Sequence, residues 1–161
     1  MRRGREVRTG LWKRPAEGPV FVGELGLEGD LIGDLRVHGG PHKAVYAYAL
    51  DDVTWWEGEL GRELGPGFFG ENLTVRDIDA SNALPGEVWE VGQALLEVSA
   101  PRTPCWKLAE KVGDPGFMQR FLAAQRPGTY LRVLREGEVA ARDPVRLLSR
   151  PRRSSRSPAP G

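Results

Sequence analysis

Twenty-one glycines and thirteen prolines are scattered along the 161 residues of this chain, and they limit how far any regular element can run. Glycine weakens the interior of helices and strands, and proline removes a backbone donor. Because both types are spread rather than clustered, they read as turns between short strands. Pro19-Val20-Phe21-Val22 is one brief extended run. In KAVYAYAL, from Lys43 to Leu50, Val45, Ala47 and Ala49 alternate with Tyr46, Tyr48 and Leu50. Both faces are apolar, which predicts a strand buried on both sides. Asn72 to Val75 is another short strand. Glu87 to Val91, Gly92-Gln93 and Ala94 to Ser99 read as a hairpin. Thr129 to Leu134, a turn at Glu136-Gly137 and the residues from Val139 read as a second hairpin, with Val145 to Leu148 as the last strand.

Helical patterns are fewer. Asp51 to Leu60 places Val53, Trp56 and Leu60 on one face, with Asp51 or Asp52 as cap and Gly61 as stop. Leu108, Ala109 and Val112 mark a second helix, ended by Gly113. Asp114-Pro115 predicts the start of a third, with Phe117 and Phe121 four positions apart. Many short strands with a few helices between them predict a mostly β, barrel-like domain with helical insertions. The length fits one domain, over residues 1–148. The end, residues 149–161, is a basic tail without an apolar anchor and is expected to be disordered.

The net charge of +1 gives no global field that points to nucleic acid, and none is expected as a partner. No apolar run reaches the ~18 residues of a membrane span. The basic start, MRRGREVRTG, lacks the apolar stretch of a secretory signal. One cysteine cannot form an internal disulfide, so a reducing, cytoplasmic setting is expected.

That cysteine, Cys105, sits in Pro101-Arg102-Thr103-Pro104-Cys105-Trp106-Lys107-Leu108. Arg102 and Lys107 bring two cations near the sulfur, and the helical pattern begins just after it. Cations and a helix N-terminus both favour thiolate over thiol. The alternative is a buried, inert thiol. Both histidines lie in His38-Gly39-Gly40-Pro41-His42-Lys43. Paired glycines let backbone amides approach an anion, and His38, His42 and Lys43 can add charge or hydrogen bonds. The alternative is a tight exposed loop. A zinc site is disfavoured, because Gly-Gly-Pro keeps the two histidines off one helix and one cysteine leaves carboxylates to complete the set. In Phe68-Phe69-Gly70-Glu71-Asn72-Leu73-Thr74, Asn72 offers donor and acceptor to a heterocycle edge, or simply forms a turn. In Gly128-Thr129-Tyr130-Leu131-Arg132-Val133, Tyr130 and Arg132 share a strand face, which in the plainer reading is only the solvent face of a hairpin. Nucleophile-elbow, Walker and dinucleotide glycine motifs are absent from the sequence. A protease-like pair of Cys105 with His38 or His42 lacks an orienting third group.

Taken in order, these segments resemble the MOSC domain, named for the C-terminal domain of molybdenum cofactor sulfurases. The resemblance runs from Val7-Arg8-Thr9-Gly10 and Gly26-Leu27-Glu28-Gly29-Asp30 through His38-Gly39-Gly40, Lys43-Ala44-Val45 and Phe69-Gly70-Glu71-Asn72-Leu73-Thr74. It continues through the Cys105 run and Tyr130-Leu131-Arg132-Val133-Leu134 to about Leu148. It implies a mostly β fold like the β-barrel domain of pyruvate kinase. It implies that Cys105 ligates the molybdenum of a pterin cofactor, as a soft thiolate suits that metal, or carries sulfur toward it. Arg102, Lys43, Gly39, Gly40, His38 and His42 are then candidates for the phosphate and pterin, and Asn72, Thr74, Tyr130 and Lys107 for the lining.

The function implied is a molybdenum-cofactor-binding oxidoreductase that reduces N-hydroxylated compounds, such as hydroxylamino-purines. Electrons would come from a separate flavin or iron–sulfur reductase, with oxygen transfer at the metal. The alternative is a carrier that holds cofactor or a Cys105 persulfide for a delivery protein, and a third reading is a non-catalytic module. The family pattern has Gly-Asp before the last strand, where this chain has Arg142-Asp143. Compact bacterial members often carry a further C-terminal helical segment, where this chain has the basic tail, so an activity that depends on that segment is not expected of this chain alone.

Overall fold

Tyr46 and Tyr48 point to one side of the strand Val45–Ala49, and Val45, Ala47 and Ala49 to the other; every one of the five is buried. A strand of this kind must lie between two separate cores, and the rest of the chain supplies them. The computed structural model describes residues 5–9, 14–15, 18–27, 43–65, 67–103 and 106–151. The strands are β1 (Arg5–Thr9), β2 (Arg14–Pro15), β3 (Val20–Gly23), β4 (Gly26–Leu27), β5 (Val45–Ala49), β6 (Leu73–Val75), β7 (Val88–Val91), β8 (Ala94–Pro101), β9 (Thr129–Arg135), β10 (Gly137–Val139) and β11 (Val145–Ser149). The helices are α1 (Leu50–Leu60), α2 (Trp106–Val112) and α3 (Phe117–Ala124). The fold is mostly β, as predicted: eight strands form one sheet in the order β11-β7-β8-β9-β5-β6-β1-β2, and β10-β3-β4 form a second.

The two sheets enclose the first core. Ala47, Leu73, Trp89, Leu96, Val98 and Leu131 of the large sheet meet Val22 and Val139 of the small one. The second core is aromatic. Tyr46, Tyr48 and Tyr130 on the opposite face of β5 and β9 meet Trp56, Phe69, Leu108, Phe117 and Phe121 from the three helices and the segment before β6. Trp56 lies 4.9 Å from Phe117, and Tyr48 stacks on Phe69 at 4.5 Å. Offset and tilted pairs of this kind add to the burial energy of the rings. β5 and β6 are parallel, with Ala47 opposite Leu73, and α1 lies in the connection between them.

Several expectations are met by neighbouring elements. The β7–β8 hairpin pairs Val91 with Ala94 across Gly92-Gln93. Gly61 ends α1 in the left-handed region, and Gly113 follows α2. Three others change. β9 and β10 are not partners: β10 pairs with β3, Glu138 opposite Phe21, so the turn at Glu136 carries the chain from one sheet to the other. Asp51 and Asp52 do not cap α1. Its N-cap is Ala49, and both aspartates lie in the first turn, with Asp52 buried. α3 starts at Phe117 rather than at Pro115, and Asp114 instead accepts the Gly116 amide at 2.9 Å. The last strand runs to Ser149, and Arg150 donates to Glu87 at 3.2 Å. No described helix is long and apolar enough to cross a membrane.

Candidate functional site

A β-bulge creates the site. Along β8, Val98 opposes Leu131, but two residues later Ala100 opposes Tyr130, which leaves Ser99 as the extra residue. An inserted residue swaps the faces of the strand beyond it. Val98 therefore points into the first core, while Ala100 and Arg102 emerge on the tyrosine face. There the Arg102 guanidinium lies over the Tyr46 ring, 4.6 Å from its centroid. Its Nη1 donates to the Phe69 carbonyl at 2.6 Å and its Nε to the Thr103 carbonyl at 3.2 Å. Tyr130 packs beside Tyr46 with ring centroids 5.5 Å apart, and Lys43 Nζ stands 5.4 Å from the Tyr130 ring. Two cations thus flank one pair of tyrosines, a favourable arrangement of charge over π-faces.

The strand joint below is polar and buried. Tyr46 N–H donates to Asn72 Oδ1 at 2.7 Å, and Asn72 N–H donates to the Tyr46 carbonyl at 2.8 Å. Glu71, 1% exposed, accepts from the Phe69 amide at 3.2 Å and from the Thr74 hydroxyl at 2.8 Å. A carboxyl group so deeply buried persists only with such donors around it. Tyr46 and Tyr48 donate their hydroxyls to the carbonyls of Pro127 and Arg126, each at 2.7 Å. Burial pushes both phenols well above the ordinary tyrosine range, and the Arg102 charge only partly offsets this at Tyr46. Both hydroxyls therefore stay protonated and act as donors.

The loop that receives them is anchored from behind. Arg126 pairs with Asp52 at 2.6 Å, Ser81 donates to the same carboxylate at 2.9 Å, and the Gly128 amide donates to Ser81 Oγ at 2.9 Å. Gly128 has a φ of +73°, and a Cβ there would lie 2.6 Å from the Ala47 carbonyl oxygen. Only glycine fits, which fixes the entry of β9 and hence Tyr130. A cleft of about 600 Å³ opens beside this anchor, lined by Asp52, Asp77, Asp79, Ser81 and Arg126 among others.

Of the residues predicted from sequence, Lys43, Asn72, Thr74, Arg102 and Tyr130 converge on this end of the sheet. Lys107 lies exposed on α2. Cys105, His38, Gly39, Gly40 and His42 lie outside the described residues. Chain continuity places Cys105 between Thr103 and the start of α2 at Trp106. Among the described residues, no three His, Cys, Asp or Glu gather as a metal site. Sequence reasoning passed over Tyr46, whose signal was its alternation within β5, and Asp52, Ser81 and Arg126, whose contacts span 29 to 74 positions and leave no local trace. Arg132, on the same strand face as Tyr130, lies at the exposed end and pairs with Glu97.

Comparisons with known proteins agree with this fold. The family model of the MOSC domain matches residues 34–146. The Bacillus subtilis protein YflK is 41% identical over 147 residues, covering 91% of this chain and 66% of its own. A protein of Gibberella moniliformis named "Reductase" is 34% identical over 152 residues, covering 92% of this chain but 27% of that one. Escherichia coli YiiM is 34% identical over 146 residues, covering 88% of this chain and 65% of its own. Its crystal structure superposes with a TM-score of 0.78 over 93% of this chain and 71% of that one, at 32% identity. The chain thus spans just under two thirds of the length of YflK and YiiM, and about a quarter of the reductase.

Proposed function

Because this chain belongs to the MOSC domain family, we propose that it binds the molybdenum cofactor through Cys105 and reduces N-hydroxylated compounds. The observation that carries the reading is the convergence of Lys43 and Arg102 on the Tyr46–Tyr130 pair, at the point where β8 leads into the Cys105 segment. This donor set suits the group. A pterin is planar and its phosphate is anionic. Two cations held beside a buried tyrosine pair offer charge to that phosphate in one place.

In this reading the residues divide the work. Lys43, exposed beside the Tyr130 ring, takes the phosphate. Arg102 holds the Cys105 segment against Phe69 while its charge faces the anionic cofactor. Tyr130 forms a wall. Asn72 and Thr74 act one step back: Asn72 Oδ1 fixes the Tyr46 amide, and Thr74 fixes Glu71. His38, Gly39, Gly40 and His42 are assigned to the phosphate and pterin from the family resemblance alone, and Lys107 adds charge on the solvent side of α2. The bound molybdenum supplies the oxygen-transfer chemistry, and Cys105 holds it as a thiolate. The reductase name of the Gibberella relative supports turnover over carriage. A separate flavin or iron–sulfur protein would deliver the electrons in the cytoplasm.

The test is elemental analysis after expression in a host that makes the cofactor, followed by assay with an N-hydroxylated purine and an artificial electron donor. Stoichiometric molybdenum with reduction of the substrate supports the proposal. Molybdenum without turnover would shift it to the carrier reading.

A further inference from the structure

Two side chains that flank the cysteine in sequence end on one short stretch of backbone. Arg102, three positions before Cys105, donates to the carbonyl of Phe69 at 2.6 Å. Lys111, six positions after it, donates through Nζ to the carbonyl of Phe68 at 2.7 Å. The two acceptors are consecutive peptides. Lys111 Nζ also stands 4.6 Å from the centre of the Phe68 ring. Arg62 faces the same ring at 5.8 Å, and its Nη2 donates to the carbonyl of Val112 at 3.3 Å, which ties the end of α2 to this region a second time.

The stretch that receives these bonds is itself firmly held. The Phe69 side chain is 1% exposed and stacks on Tyr48. Its amide donates to Glu71, which accepts from Thr74 on β6. The Phe68–Phe69 peptides therefore form a fixed platform attached to the large sheet. The chain from Arg102 to Lys111 is pinned on that platform at both ends.

We propose that Lys111 is a positioning residue: with Arg102 it clamps the segment carrying Cys105 onto the Phe68–Phe69 backbone and so sets where the thiol stands. The inference rests on the reading of Cys105 as the cofactor thiolate, since only then does the placement of that segment bear on cofactor retention. The acceptors are neutral carbonyls, so the requirement is a cationic donor of the right reach, which arginine can also meet.

The test compares Lys111→Met, Lys111→Arg and Arg62→Met in the full chain. Each is measured for amide hydrogen exchange, the rate of Cys105 alkylation by iodoacetamide at fixed pH, thermal midpoint and molybdenum content. In Lys111→Met, exchange rises in peptides covering residues 100–112 but not in β7 or β9. The rate of Cys105 alkylation changes about threefold or more as its flanks open locally. Molybdenum content falls. Lys111→Arg restores all three, and Arg62→Met moves them in the same direction by less. A lowered thermal midpoint with unchanged local exchange and alkylation would mark Lys111 as merely structural and overturn the proposal. So would wild-type exchange and metal content in Lys111→Met. If Lys111→Met opens the segment while Cys105→Ser keeps its metal, the clamp stands and the ligand assignment fails.

Discussion

Arg142 holds a φ of +75°, in the region that favours glycine, at the third position of the turn Ala140–Asp143. The turn closes because the Asp143 amide donates to the Ala140 carbonyl at 3.1 Å and the Ala140 amide donates to Asp143 Oδ2 at 2.8 Å. This is where the family pattern has glycine, and the strain of a side chain there is about 1 kcal/mol. Glycine would lose roughly half of that gain to its greater freedom in the unfolded chain. Arg142→Gly should therefore stabilise the protein by about 0.5 kcal/mol, read as a rise of ~1–2 °C in thermal midpoint. A second residue-scale prediction concerns pH. Tyr46 and Tyr48 have hydroxyl values raised by burial in the folded state. Unfolded tyrosines release their protons near pH 10, folded ones only well above it. The stabilisation is complete below about pH 10 and declines as pH rises beyond that, because the unfolded chain then binds fewer protons. Denaturant melts at pH 8 and above pH 10 should show this fall, and Tyr48→Phe should lessen its slope.

At the scale of elements, the anchor behind the 126–128 loop can be tested against its size. Asp52 accepts from Arg126 and Ser81 with its side chain 9% exposed, whereas the Arg120–Asp114 pair is 42% and 39% exposed. Hydrogen bonds to a buried charge are worth about 2 kcal/mol, exposed pairs about 0.5 kcal/mol or less. Asp52→Asn should cost about 2 kcal/mol in denaturant unfolding, and Asp114→Asn at the exposed pair about 0.5 kcal/mol or less. Gly128→Ala should cost at least ~2 kcal/mol, because the Ala47 carbonyl it would strike belongs to a central strand. Elements were legible where the signal was local. The two-faced alternation of β5, the Gly92-Gln93 turn and the Phe117–Phe121 spacing each carry their structure in a few adjacent residues. The partner of β10 was not legible, since the pairing with β3 joins residues more than a hundred positions apart. The bulge at Ser99, which turns Arg102 to the tyrosine face, has no signature of its own: Val98, Ser99 and Ala100 read equally well as unbroken strand.

At the scale of the molecule, the fold places one end of an aromatic core beside Arg102, just past the end of β8. β5 separates that core from the one between the sheets, so Tyr46 and Tyr130 can shape a site without disturbing the first core. The sequence motifs named Lys43, Arg102 and Tyr130, which the fold brings together, but not how their side chains are used. Arg102 was expected at a phosphate, yet two of its nitrogens bond carbonyls and its plane covers Tyr46. Asn72 was expected at a heterocycle edge, yet its Oδ1 secures the amide of β5. Both duties depend on groups brought close only by the folded sheet. The central claim is that Cys105 binds the metal of the cofactor. Its most direct test is the molybdenum content of wild type and Cys105→Ser, purified from the same cofactor-producing host. The account predicts stoichiometric molybdenum in the wild type and its loss in the variant, with the thermal midpoint of the cofactor-free protein unchanged. Full molybdenum content in Cys105→Ser would contradict it.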